Sequence, residues 1–236
     1  MSSAKARGLP VLALSVLLAG CAAMSDSQDP RASDGRHDGP RRFALTPLAE
    51  MTPEQLAVAK AIMTGPRASV GSPAAAPGAT SLSSPFNVWN RRSELANNLQ
   101  KVGEYVRFRS SLPARLNELA ILITARKWTA QYEWFAHHRL AMLAGLDPAI
   151  AEAVANNRAP ANMKADEQVV YDFTMELHEQ QGVSDATYKR ALDAIGEAGI
   201  ADLIAVNGYY VLVSMTLNVD RTPIPGGGKP PLPVFK

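Results

Sequence analysis

The 236-residue sequence holds one cysteine, Cys21. Past that residue there is no material for a disulfide, a cysteine-ligated zinc site or a thiolate with a resolving thiol. An excess of one charge sign is also missing. The 24 basic and 22 acidic side chains leave a formal charge of +2 and form no basic patch, so nothing argues for nucleic acid as a partner. No segment alternates apolar and polar residues between hairpin turns, which removes the case for a sheet. The N-terminal apolar run from Leu9 to Leu18, interrupted by Pro10 and Ser15, is too short to span a bilayer.

That run does have the length of a signal-peptide core. Lys5 and Arg7 precede it, and Leu18-Ala19-Gly20-Cys21 follows it. The ending resembles the lipobox of bacterial lipoprotein precursors. The resemblance implies cleavage before Cys21, acylation of its thiol end, and export to the periplasmic side of the cell envelope on a lipid anchor. Residues 1–20 are then a signal peptide, and their loss brings the formal charge to zero. Residues 21–42, rich in Ser, Asp, Gly, Arg and Pro, read as the lipidated cysteine and a flexible tether. Residues 43–236 form the domain. Gly65 to Ser84, with its Ser-Pro-Ala-Ala-Ala-Pro-Gly-Ala run, reads as a loop. Residues 223–236, containing Gly226-Gly227-Gly228 and Pro230-Pro231, read as an extended C-terminal arm that reaches a neighbouring subunit.

Between these stretches the pattern is helical, and the fold class is all-α with about seven to eight helices. Thr52-Pro53-Glu54 is an N-cap followed by proline at the first helical position, opening a helix to about Met63. Residues 91–109 carry Leu95, Leu99, Val102, Tyr105 and Val106 at helical spacing. A helix from Leu112-Pro113 breaks near Lys127 to Thr129, and the next runs to Gly145. Asp147-Pro148 opens a short helix to about Val154. Asp166 begins one ending near Gly182, and Ser184 caps one ending near Gly199. An apolar helix covers about Ile200 to Leu217.

The polar residues inside apolar stretches are the candidates for chemistry. Glu118 lies among Leu116, Leu119, Ala120, Ile121 and Leu122. Glu133 and His137, spaced i, i+4, project from one helical face, while His138 points about 100° away. A carboxylate beside an imidazole forms an acid–base pair or an ordinary helical ion pair, and spacing alone leaves both open. Two carboxylates and an imidazole are also a donor set for a divalent metal, although no fourth ligand is evident. Arg107 or Arg67 could hold a carboxylate. Trp128, Tyr132, Trp134, Tyr209 and Tyr210 could line a pocket or fill a core.

Three runs together resemble the carboxymuconolactone decarboxylase family, which includes the alkylhydroperoxidase D-like proteins. They are Leu112-Pro113-Ala-Arg-Leu-Asn-Glu118-Leu-Ala-Ile, Trp128-Thr-Ala-Gln-Tyr-Glu133-Trp-Phe-Ala-His137 and Ala144-Gly145-Leu146. Gly65-Pro66-Arg67, Pro85-Phe86-Asn87-Val88 and Gly208-Tyr209-Tyr210 extend the likeness over most of residues 48–225, with residues 68–84 as an insertion. The peroxidase branch of that family has a glutamate, then Cys-x-x-Cys, then a histidine four residues past the second cysteine. Glu118 and His137 match the glutamate and histidine, but Ala130 and Glu133 stand at the cysteine positions. The resemblance therefore implies a helical homo-oligomer without thiol peroxidase chemistry. Its implied activity is cofactor-independent decarboxylation or proton transfer on a small carboxylated lactone or ring acid. Glu118, Glu133 and His137 would be catalytic in that chemistry, with Tyr132, Arg107 and Trp128 around the substrate. His137 or Tyr132 would stabilise an enolate oxygen, and Glu118 or Glu133 would deliver the proton. A non-catalytic, lipid-anchored binding module is the other function these residues permit.

Overall fold

The computed structural model describes Met1 and residues 39–71, 76–83 and 85–235. The signal segment, Cys21 and the tether up to residue 38 lie outside the described residues. Those residues fold into eight α-helices: α1 Pro53–Thr64, α2 Phe86–Trp89, α3 Ser93–Phe108, α4 Ala114–Lys127, α5 Gln131–Leu143, α6 Pro148–Ala155, α7 Ala165–Gln180 and α8 Asp185–Asp220. The one β-type pairing among them is an isolated antiparallel bridge, Pro47 to Ser81.

Local chemistry explains most of the helix boundaries. Thr52 and Gln55 form a capping box at α1, with Pro53 at the first helical position. Asp147 accepts from Ala149 N ahead of α6, and Ser184 accepts from Thr187 N ahead of α8. One boundary differs from the sequence pattern. The break expected near Gly199 falls at Gly196, whose φ of 67° and ψ of 175° suit glycine alone. Gly199 continues the helix.

The core is organised around α4, in which every residue from Leu116 to Arg126 is buried. A helix buried on all sides needs a covering on each, and α5, α7 and α8 pack against it, with α6 closing the remaining side. Each polar side chain on such a helix must also find a partner. Asn117 donates to Val106 O at 2.9 Å. Thr124 donates to Ala120 O and meets His178 Nε2 and Asn207 Oδ1, each at 3.0 Å, pinning α4 to α7 and α8. Burial lowers the His178 pKa, so this ring is a neutral hydrogen-bonding group. Helix α8 is long and apolar enough to cross a membrane by length and composition, yet here it is a core helix of this bundle.

The packing refines several expectations. On α3 the apolar residues Leu95, Val102 and Tyr105 face outward, and Ala96, Gln100, Gly103 and Val106 form the buried stripe. Of the five apolar residues at helical spacing, Val106 is buried and Leu99 packs against the core, while the other three face outward. The stretch from Gly65 to Ser84 is more than a loop: a 3-10 turn at Pro66–Val70 buries Arg67, and Leu82 is fully enclosed. The C-terminal arm lies on its own chain. Gln131 exchanges two hydrogen bonds with the Leu232 backbone, at 2.8 and 3.0 Å, and Leu232 is 0 % exposed. Arg126 donates to Pro233 O at 2.6 Å and sits 5.1 Å from the Phe235 ring. At the other end, Arg41 and Arg42, assigned to the tether, are held at α8 by Asp220 and Val219.

Candidate active site

The turn between α4 and α5 sets the site. Thr129 adopts a left-handed φ of 46°, and Ala130 N reaches back to Ala125 O at 2.8 Å, closing a Schellman-type end to α4. A β-branched residue is unfavourable there by roughly 1–3 kcal/mol. Arg126 offsets part of that strain by donating to Thr129 Oγ1 at 2.9 Å. The turn sends α5 back along α4, so that His137 comes to lie against Glu118.

Glu118, Glu133 and His137 converge in one buried cluster. His137 Nδ1 is 2.7 Å from Glu118 Oε2, and Nε2 is 3.1 Å from Glu133 Oε1. All three residues are less than 9 % exposed. The second contact is close, but it is off the hydrogen-bond direction. Glu133 Oε1 thus remains a buried oxygen without a well-directed donor. Burial works against charging the imidazole. The Glu118 and Glu133 carboxylates outweigh it, and the His137 pKa rises to about 9. An imidazolium between two carboxylates is therefore the resting arrangement at neutral pH. Nδ1–H is committed to Glu118, Nε2–H lies against Glu133 without a directed hydrogen bond, and the protonated ring has no lone pair for a metal ion. While the ring stays protonated, the Glu/Glu/His metal reading lacks its imidazole donor. No set of three His, Cys, Asp or Glu arranged to hold a metal is found among the described residues.

A cationic pole faces the cluster across two tyrosines. The Tyr210 ring packs edge-on to His137 at 5.0 Å, and Tyr209 packs edge-on to Tyr210 at 5.4 Å. Burial holds the Tyr210 phenol protonated well above its ordinary range. The Arg107 charge opposes that effect, and Glu133 and Glu118 add to it. Tyr209 is raised for the same first reason, with Arg67 opposing. Arg67 is 2 % exposed, donates to Gln100 O at 3.1 Å and lies 5.0 Å from the Phe86 ring. Gly103 makes this meeting possible. A Cβ at position 103 would come within 2.1 Å of Tyr209 Oη and 2.8 Å of Arg67 Nη2, so hydrogen alone fits. Arg107 is half-buried, and its Nε is enclosed without a hydrogen bond.

The other two sequence candidates lie elsewhere. Tyr132 is buried next to Glu133, but its side chain lines a separate cleft under the C-terminal arm. Trp128 is the C-cap of α4, where its carbonyl accepts from Asn218 at 2.8 Å. Gly103 and Gln100 were not singled out from sequence. Their only signal there was a small and a polar residue on a helix of which Leu95, Val102 and Tyr105 pointed the other way.

No family model matches the sequence, and no match to a curated protein was found. Solved structures do match. The peroxidase-related protein from Ralstonia eutropha JMP134, described as an alkylhydroperoxidase AhpD core, superposes with a TM-score of 0.63 at 13 % identity, covering 80 % of this chain and 94 % of that one. A peroxidase-related protein from Silicibacter sp. TM1040 gives 0.59 at 14 % identity, covering 78 % and 93 %. The debrominase Bmp8, as a cysteine-to-alanine variant in complex with 2,3,4-tribromopyrrole, gives 0.60 at 10 % identity, covering 80 % and 95 %. These likenesses establish an AhpD-like helical fold.

Proposed function

We propose that this protein carries out cofactor-independent proton transfer or decarboxylation on a small carboxylated lactone or ring acid, as carboxymuconolactone decarboxylases do. The observation that carries the reading is the buried Glu118–His137–Glu133 relay opposite the Arg67 and Arg107 guanidiniums. The cationic pole holds a substrate carboxylate, and the reacting carbon faces Glu133. Loss of CO2 leaves an electron pair conjugated to the ring carbonyl. The Tyr210 or Tyr209 hydroxyl, kept protonated by burial, donates to the developing enolate oxygen. The proton for carbon comes from His137 Nε2 by way of Glu133, and solvent then restores it. Glu118 fixes the ring orientation throughout. With Ala130 and Glu133 at the thiol positions, peroxide reduction is outside this chemistry. That a debrominase of like fold holds a brominated pyrrole supports a small ring as the ligand.

The test uses the full chain purified in detergent, incubated in D2O with carboxylated γ-lactones, with CO2 release and deuterium uptake at carbon recorded. Glu133→Gln keeps the shape and removes the titrating group, and it should lower the rate by about 10²-fold or more. A wild-type rate in Glu133→Gln, or dithiol-dependent peroxide turnover, would remove this mechanism.

We also propose that the domain is exported and held to the envelope by acyl chains on Cys21. Labelled fatty acid should enter the wild type and be absent from Cys21→Ser. A label that persists in the variant defeats the proposal. A third proposal is a homo-oligomer seamed on the outward stripe of α3, where Leu95, Val102 and Tyr105 are 48, 46 and 42 % exposed. Light scattering should report a multimer that Val102→Glu dissociates, and a monomeric wild type would refute the seam.

A further inference from the structure

A second cavity, apart from the acid–base cluster, opens under the C-terminal arm. It has a volume of about 250 Å³ and is bounded by the end of α8, the start of α5, Gly39 and the arm from Pro223 to Val234. Its walls are mostly apolar, with Leu217, Ile224 and Val234 among them. Ligand pockets for drug-sized molecules run from roughly 300 to 1,000 Å³, so this one suits a single ring.

Most polar groups along the cleft are already committed. Gln131 spends both ends of its amide on Leu232, Asn218 donates to the Trp128 carbonyl, and Thr222 donates to Asp220. Arg221 is different. It caps α8 in the left-handed conformation, at φ 54° and ψ 49°, which turns its side chain away from the helix axis and into the cleft wall against Gly39. No hydrogen bond or ion pair of its guanidinium is found among the described residues, and its Nε is enclosed without a partner. The adjacent Asp220 carboxylate is engaged by Phe43 N, Thr222 and Arg41. A half-buried guanidinium on an apolar cavity, with no ion pair among the described residues, is a receptor for an anion.

We propose that this cleft binds a small apolar monocarboxylate, its anion on Arg221 and its ring among Leu217, Ile224 and Val234, with the arm as the roof. The arm is built for that place. Gly226 and Gly227 take positive φ values of 76° and 67° to turn it, and Gln131 fastens it at Leu232.

The test is calorimetric and needs no turnover. The full chain in detergent is titrated with benzoate and with benzamide, its neutral isostere, while amide hydrogen exchange is followed at Leu232. Benzoate should bind at least tenfold more tightly than benzamide, as expected when a charge-assisted hydrogen bond of about 1.4 kcal/mol or more is lost. It should also slow exchange at Leu232. Arg221→Gln should abolish the preference, and glutamine is tolerated in this backbone conformation, since Gln181 adopts φ 56° in the same chain. Arg221→Lys should keep part of the preference, which separates lost charge from lost structure. Equal binding of the two probes, or no binding of either, overturns the proposal. So does benzoate binding in Arg221→Gln at the wild-type level, because the anion would then sit elsewhere.

Discussion

Replacing His137 with alanine should destabilise the domain by about 3–5 kcal/mol and lower proton-transfer activity by about 10²-fold or more. The large stability effect arises because the imidazolium is what allows Glu118 and Glu133 to be buried together, at 8 % and 4 % exposure. Without it two carboxylates face one another in a poorly hydrated interior, and each must be protonated or drag in water. The remedy identifies the cause. Adding Glu118→Gln to His137→Ala removes one of the stranded charges, so the double variant should be more stable than His137→Ala alone. Urea denaturation of the single, double and reference proteins measures this coupling. A loss under 1 kcal/mol for His137→Ala would mean that the cluster is already relaxed by water.

The second large effect is in pH dependence. The folded-state pKa of His137 lies at about 9, above the 6.5 of the unfolded chain. A raised pKa on a basic group means that the folded state holds the proton more tightly. The resulting stability is fully present below pH 6.5 and is lost progressively as the pH climbs through 9. Because the ring is wholly buried, the difference corresponds to roughly 3 kcal/mol. His137→Gln should flatten the stability profile over that interval, and deuterium transfer by the wild type should decline as the pH passes 9. A profile for His137→Gln parallel to that of the wild type from pH 6.5 to 9 would show that the imidazolium is not what the fold holds.

Much of this architecture follows from local chemistry. Thr52, Asp147 and Ser184 place three helix starts because a side-chain oxygen satisfies backbone N–H groups within its own few residues. The Glu133–His137 pair follows from helical pitch alone, and the isolated Glu118 stood out as the acidic residue in an otherwise apolar run. Where sequence reading failed, the deciding interaction was long-range. On α3 Leu95, Val102 and Tyr105 are exposed although Val106 is buried, and the inner face accommodates Tyr209 and Arg67, which calls for Gly103. The move of the helix break from Gly199 to Gly196 is local by contrast: Gly196 takes the non-helical conformation and Gly199 stays helical.

The sequence by itself therefore determined an all-α domain and the residue types of the site, including the absence of thiols from it. Both depend on periods, caps and composition that act over a few residues. Only the tertiary structure decided that Glu118 and Glu133 share one imidazole, that Arg67 and Tyr209 oppose them, and that Tyr132 lines a different cavity. Those outcomes depend on how α4, α5 and α8 pack around buried polar groups. Each such group must find a partner where water is excluded, and the partners here are supplied by helices 19 to 83 residues apart along the chain.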